Sequence, residues 1–171
     1  MSTLNRRRIC QDQEGPGMNA DDCWSDPIHG DGPRVLVVLD GSLASLAALR
    51  VAVTEARRRH AHLQAIRVLP GVGALPGLPD GHEFFARLRE GVWASLREAL
   101  GRVPADIDIS TAVARGAGPA LVAMAGGEDD LLVLGGGEGR LLRRWRSAAV
   151  SRYCVTHARC PVLTDVGTSP S

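Results

Sequence analysis

The chain has 171 residues, 44% of them hydrophobic and 23% charged, with a formal net charge of +1. That length holds one domain with its own core, and so even a charge gives no electrostatic case for nucleic acid or a membrane surface. No apolar run approaches the roughly 18 residues of a membrane helix, and the arginine cluster in MSTLNRRRICQDQ lacks the apolar stretch of a secretory signal, so a cytoplasmic protein is expected.

Residues 1–33 are rich in Asp, Gly, Pro and Asn and show no periodicity, which predicts a disordered, mildly acidic tail. Trp24 and Arg6–Arg8 are read as part of that solvated tail, with a partner-binding motif as the alternative. From Arg34 the character changes. RVLVVLD is a continuous apolar run, the signature of a strand buried on both faces. GSLASLAALRVAVTEARRRH reads as a helix, with Ser42 as N-cap and arginines closing the last turn. LQAIRVLP is a second strand, GVGALPGLPDGH a Gly/Pro loop, and EFFARLREGVWASLREALG an amphipathic helix interrupted at Gly91. IDISTAVAR alternates Ile107, Ile109, Thr111 and Val113, a period of two that predicts a strand exposed on one face. Gly118-Pro119 opens a short helix; DLLVLG is a fourth buried strand, RRWRSAAVSRYCVTHA a helix, and CPVLTDV a fifth strand. The structured domain is expected over 34–166, with a disordered tail at 167–171. Strands alternating with helices imply a parallel sheet covered on both faces, with ligands beyond the carboxyl ends of the strands, where strand order switches. Leu39-Asp40-Gly41 and Gly135–Gly139 occupy that rim.

Familiar chemistries are excluded one by one. All twenty basic residues are arginine, which removes the P-loop, kinase and Schiff-base chemistries that need a lysine. A dinucleotide fingerprint fails because Arg140 stands where the third glycine belongs. The cysteines, Cys10, Cys23, Cys154 and Cys160, match no zinc spacing, and the last two read as small buried hydrophobes. His29, His60, His62, His82 and His157 fall in tails, helix ends and loops; His60 and His157 suit helix C-termini. No catalytic or metal-binding constellation is expected.

VLVVLDGSLASLAALRVAV resembles the first strand and helix of the universal stress protein family, and LLVLGGGEGRLLRRWRSAAVSRYCVTHARCPVLTDV is similar to that family's C-terminal signature, with VSRY, HA and CPVL nearly intact. The resemblance spans 34–166. It implies a flavodoxin-like three-layer α/β sandwich, with five parallel strands in the order 3-2-1-4-5. It also implies a homodimer through the last strand, 160–166, and in many members an ATP pocket with magnesium. The nucleotide contacts it carries over are Leu39, Asp40, Val68, Gly135, Gly136, Gly137, Ala149, Val150 and Ser151, with Val150 and Ser151 at the start of a helix. The family's pattern of Gly, two residues, Gly, nine residues, Gly and Ser/Thr is altered here at Glu138, Ala148 and Ala149.

Losing the hydroxyl at Ala149 removes a hydrogen bond to phosphate worth roughly 1.5–3 kcal/mol, and a carboxylate about 4 Å from a phosphate charge repels it by roughly 4 kcal/mol at an effective dielectric near 20. The expectation is therefore a non-catalytic, dimeric stress-response module in which ATP binding is weak or absent. The alternatives are an ATP-binding member with slow hydrolysis and a pure protein-interaction module with a vestigial pocket, in which the dimer, or the arginine-rich loop with Arg143 and Arg144, docks an unidentified partner.

Overall fold

The computed structural model describes residues 23–25, 32–69, 82–136 and 141–166. In chain order the elements are β1 (Cys23–Ser25), β2 (Arg34–Leu39), α1 (Leu43–Arg59), β3 (His62–Leu69), α2 (His82–Leu100), β4 (Ile109–Arg115), α3 (Ala117–Met124), β5 (Leu131–Gly135), α4 (Leu141–His157) and β6 (Val162–Val166).

The apolar run of β2 sits at the centre, buried on both sides because strands flank it and helices cover both faces. It pairs in parallel with β3 from Arg34↔His62 to Leu39↔Arg67, and with β5 from Val35↔Leu131 to Val37↔Val133. β3 in turn pairs with β4, and β5 with β6. The sheet order is β1-β4-β3-β2-β5-β6. Leaving β1 aside, the five parallel strands stand in the expected order 3-2-1-4-5.

The switch in order falls between β2 and β5 and sorts the helices onto two faces. Ala48, Leu49, Ala52, Val53 and Ala56 of α1 join Val92, Leu96 and Ala99 of α2 over one face. Ala120, Leu121 and Met124 of α3 and Cys154 of α4 cover the other, against Leu36, Ile66, Ala112 and Leu132. Local chemistry sets the ends of α1. Ser42 Oγ accepts from Ser45 N–H at 3.1 Å, as the N-cap reading requires, and Arg57, Arg58 and Arg59 fill the last turn. His60 closes the helix in the left-handed region, at φ 50°.

Three expectations need correction. Residues 23–25 fell in the segment expected to be disordered, yet they pair antiparallel with β4, Cys23↔Ala114 to Ser25↔Ala112; the rest of 1–31 and the tail 167–171 lie outside the described residues. β4 is not exposed on one face: Ser110 to Ala114 are all buried, because these small residues fit under helices on both sides. Gly91 does not interrupt α2, which runs unbroken through it. That glycine is solvent-exposed, so its cost of about 1 kcal/mol is outweighed by the apolar stripe that α2 buries. Among the described residues no helix is long and apolar enough to cross a membrane.

Candidate functional site at the switch point

Where β2 ends, the chain must turn sharply into α1. Asp40 Oδ1 accepts from Ser42 N–H at 2.9 Å, and Gly41 adopts φ 82°, a conformation that favours glycine. Ser45 Oγ donates to Ser42 O at 2.8 Å, which ties the first turn of α1 to the same corner. Across the rim β5 ends at Gly135. A Cβ added there would lie 2.9 Å from Ala44 C and O and from Ser45 N. Gly135 is thus required by backbone-to-backbone contact between β5 and α1, whatever ligand the rim takes.

The apolar part of the site lies on the α3/α4 face. Val38, Val68 and Val150 are half-buried there in one cluster, each from a different element. Val38 was not singled out from the sequence, because within a uniformly apolar run its only signal is alternation with Leu39. Leu39 points to the other face, where it is buried beside α1, so its backbone alone faces the rim. Arg67 was also missed. Its Nη1 would stand 3.7 Å from a Cβ added at Gly41, which puts a guanidinium beside the Asp40 turn.

The phosphate end departs from expectation. α4 begins at Leu141, so Ala148, Ala149, Val150 and Ser151 lie about two turns inside it, and not at its start. Their amide hydrogens are taken up by carbonyls one turn earlier, since only the first four N–H groups of a helix are free. Ala148 and Ala149 face solvent, while Val150 packs inward. The physical reason is composition: the segment from Leu141 holds Leu, Arg, Trp, Ser and Ala, with no proline or glycine to delay the helix. Gly136 is buried beside Gly135. Gly137, Glu138 and Arg140, and the side chains of Arg143 and Arg144, lie outside the described residues.

The structure therefore sets Asp40, Val68, Gly135 and Gly136 at the carboxyl ends of the strands, packs Val150 against the core of the α3/α4 face, and turns Ala148 and Ala149 outward. Among the described residues, titratable groups with nucleophilic character sit elsewhere. His60 and His62 line a cavity of about 620 Å³ at the opposite rim, with Arg57, Asp106 and Asp108. There Arg57 Nε and Nη2 donate to Asp106 at 2.6 and 3.0 Å, and this hydrogen bonding raises the guanidinium pKa and lowers that of the carboxyl. His157, in the last turn of α4, stacks on Tyr153, with Nδ1 2.9 Å from Tyr153 O. Cys154 is fully buried, and burial, with Cys160 nearby, pushes its thiol up to about 11. Among the described residues, no three His, Cys, Asp or Glu gather to hold a metal.

The sequence profile of the Universal stress protein family matches residues 33–164. A solved universal stress protein in complex with cAMP is 27% identical, with a TM-score of 0.57, the alignment covering 82% of this chain and 100% of that one. A universal stress protein family member from Burkholderia pseudomallei is 25% identical, with a TM-score of 0.54 over 81% of this chain and 100% of the other. The universal stress protein of Archaeoglobus fulgidus shares the fold at 20% identity and a TM-score of 0.53, over 78% and 97% of the two chains. Among proteins of curated function no match is found.

Proposed function

Because the chain belongs to the universal stress protein family, we propose that it is a non-catalytic module that binds the nucleoside end of an adenine nucleotide at the switch point and holds a triphosphate weakly or not at all. The observation that carries this reading is the half-buried cluster of Val38, Val68 and Val150 beside the Asp40 turn. An apolar floor with a few fixed polar groups at its edge suits a flat, weakly polar base. A relative of 27% identity was solved with cAMP, which supports an adenine ligand at this rim.

The residues present fit the two ends of such a ligand unequally. At the nucleoside end, Asp40 is pre-oriented by the Ser42 amide, and a carboxylate there is suited to accept from ribose hydroxyls. At the phosphate end, the amides of Ala149, Val150 and Ser151 belong to the body of α4, and Ala149 brings no hydroxyl. Arg67 supplies a positive charge at the rim that suits one phosphate more than an extended chain of three. Magnesium, if carried, would come with the phosphates. The histidines whose side chains are described stand at the amino ends of the strands or at the end of α4, away from this rim, in keeping with binding without hydrolysis.

The homodimer belongs to the same reading. β6 is an edge of the sheet, and Leu163 on it remains 37% exposed, so an apolar side chain is available for a second copy to pack against.

Calorimetry with AMP, cAMP and ATP, each with and without magnesium, tests the proposal. AMP and cAMP should bind, ATP should gain nothing from its extra phosphates, and Val68→Glu should weaken AMP at least about tenfold by placing a charge on the apolar floor. ATP bound more than about tenfold tighter than AMP, or AMP affinity unchanged in Val68→Glu, would overturn it.

A further inference from the structure

The two outer strands of the parallel sheet differ in how they are protected against unwanted pairing. β6 follows Pro161, carries Asp165, and shifts register against β5 between Val133 and Gly135. Prolines, charges and irregularities are the usual ways to blunt an edge. β4 has no proline and no register shift, and its one charge, Arg115, stands at its last residue. Ser110-Thr111-Ala112-Val113-Ala114 is uncharged, and β4 pairs with β3 without a shift from Leu63↔Ile109 to Leu69↔Arg115. Left open, such a strand is a template for another. In this chain β1 closes it, antiparallel, and among the described residues Cys23, Trp24 and Ser25 pair, against a strand of seven residues.

We propose that β1 is a detachable cap, and that the β4 edge beneath it is a pairing surface whose occupant, once the cap leaves, is the β4 edge of a second copy of this chain. The existing register shows that this edge accepts an antiparallel strand. A second β4 fits it better than β1 does. Antiparallel pairing about Ala112 sets Ile109 opposite Arg115, Ser110 opposite Ala114 and Thr111 opposite Val113, so no like charges meet. It also engages the whole strand, where β1 engages three residues. A three-residue strand at an edge opens at low free-energy cost, so the cap sets how often the surface is exposed. This surface lies on the opposite edge from β6 and stands independently of the nucleotide reading.

The test compares sedimentation mass and amide exchange of the full chain with three variants. One deletes residues 2–31. A second, Cys23→Pro with Ser25→Pro, keeps the chain whole but removes two amide donors from β1. The third, Ala114→Cys in a Cys10→Ser background, sets a thiol opposite native Cys23, within the reach of a cross-strand disulfide, and locks the cap shut when oxidised. The deletion and proline variants should show an about twofold rise in mass with concentration and, when dilute, about tenfold faster exchange at Thr111–Val113. The oxidised staple should hold the parent mass at every concentration. A deletion variant and a proline variant that both keep the parent mass and exchange pattern would overturn the proposal. So would a mass gain abolished by Leu163→Lys, since the contact would then run through β6.

Discussion

The two faces of the sheet solve the burial problem differently. Over one face, α1 and α2, of 17 and 19 residues, seal an apolar core of Leu, Val and Ala. Over the other, the eight-residue α3 and the inner half of α4 cover a layer that includes polar groups. Arg34 Nε donates to Asp130 Oδ1 at 3.2 Å while its Nη2 reaches Asp130 Oδ2 and Met124 O, and Gly127 N–H donates to the same carboxylate at 3.0 Å. His62 Nε2 lies 2.7 Å from Ser110 Oγ. Gln64, fully buried between them in the ladder, makes no hydrogen bond with either side-chain end. The first face relies on volume and the second on directed bonds. The second face is also the one that carries the switch-point cluster of Val38, Val68 and Val150.

The sharpest way to break that contrast is at the ion pair. Asp130→Ala strands the Arg34 guanidinium and two backbone amides, and should lose about 3–5 kcal/mol in chemical denaturation, as much as the cavity left by Leu49→Ala on the other face. A loss as small as that of Asp106→Ala, whose partner Arg57 is half exposed, would erase the distinction. Gln64 tests the same idea in the opposite direction. Gln64→Leu removes an unpaired buried amide at similar volume and should stabilise by about 1–2 kcal/mol; a destabilised variant would mean the amide is bonded. The smallest effect concerns Cys154. Its folded pKa lies above the unfolded value, so the stability it confers is complete below the ordinary thiol value of 9.0 and is lost as pH rises toward about 11. Wild type should lose about 1 kcal/mol more than Cys154→Ala between pH 8 and pH 10, and equal losses would refute the shift.

These elements also show what could be read from the chain alone. β2, β3 and β5 were legible because runs such as RVLVVL and LLVL have no other use than burial on both faces. The Ser42 cap was legible because it acts through Ser45, three residues away. The ion pair was not: Arg34 and Asp130 are 96 residues apart, and nothing local distinguishes them from surface charges. β1 was hidden for the same reason, its three residues being too short for a period and stabilised only by a distant strand. β4 misled because Asp108 and Ser110, alternating with Ile107, Ile109 and Thr111, imitate a wet face, whereas Ser110 satisfies its hydroxyl against His62 inside the core. At the candidate site, Asp40 and the glycines could be placed from the family signature. The start of α4 was misplaced by that signature, at Val150 and Ser151, whereas the residues themselves, read as a helix from RRWRS, come within two positions of Leu141.

The contact between Gly135 and the Ala44–Ser45 backbone has a mechanical consequence. With no side chain between them, β5 and the head of α1 are welded, and the crevice above has one immovable wall. On the α3/α4 face the tight glycine contact is with a side chain instead, Gly118 against the Tyr153 ring. A ligand that widens the crevice is therefore expected to displace α3 and α4 before β5 and α1.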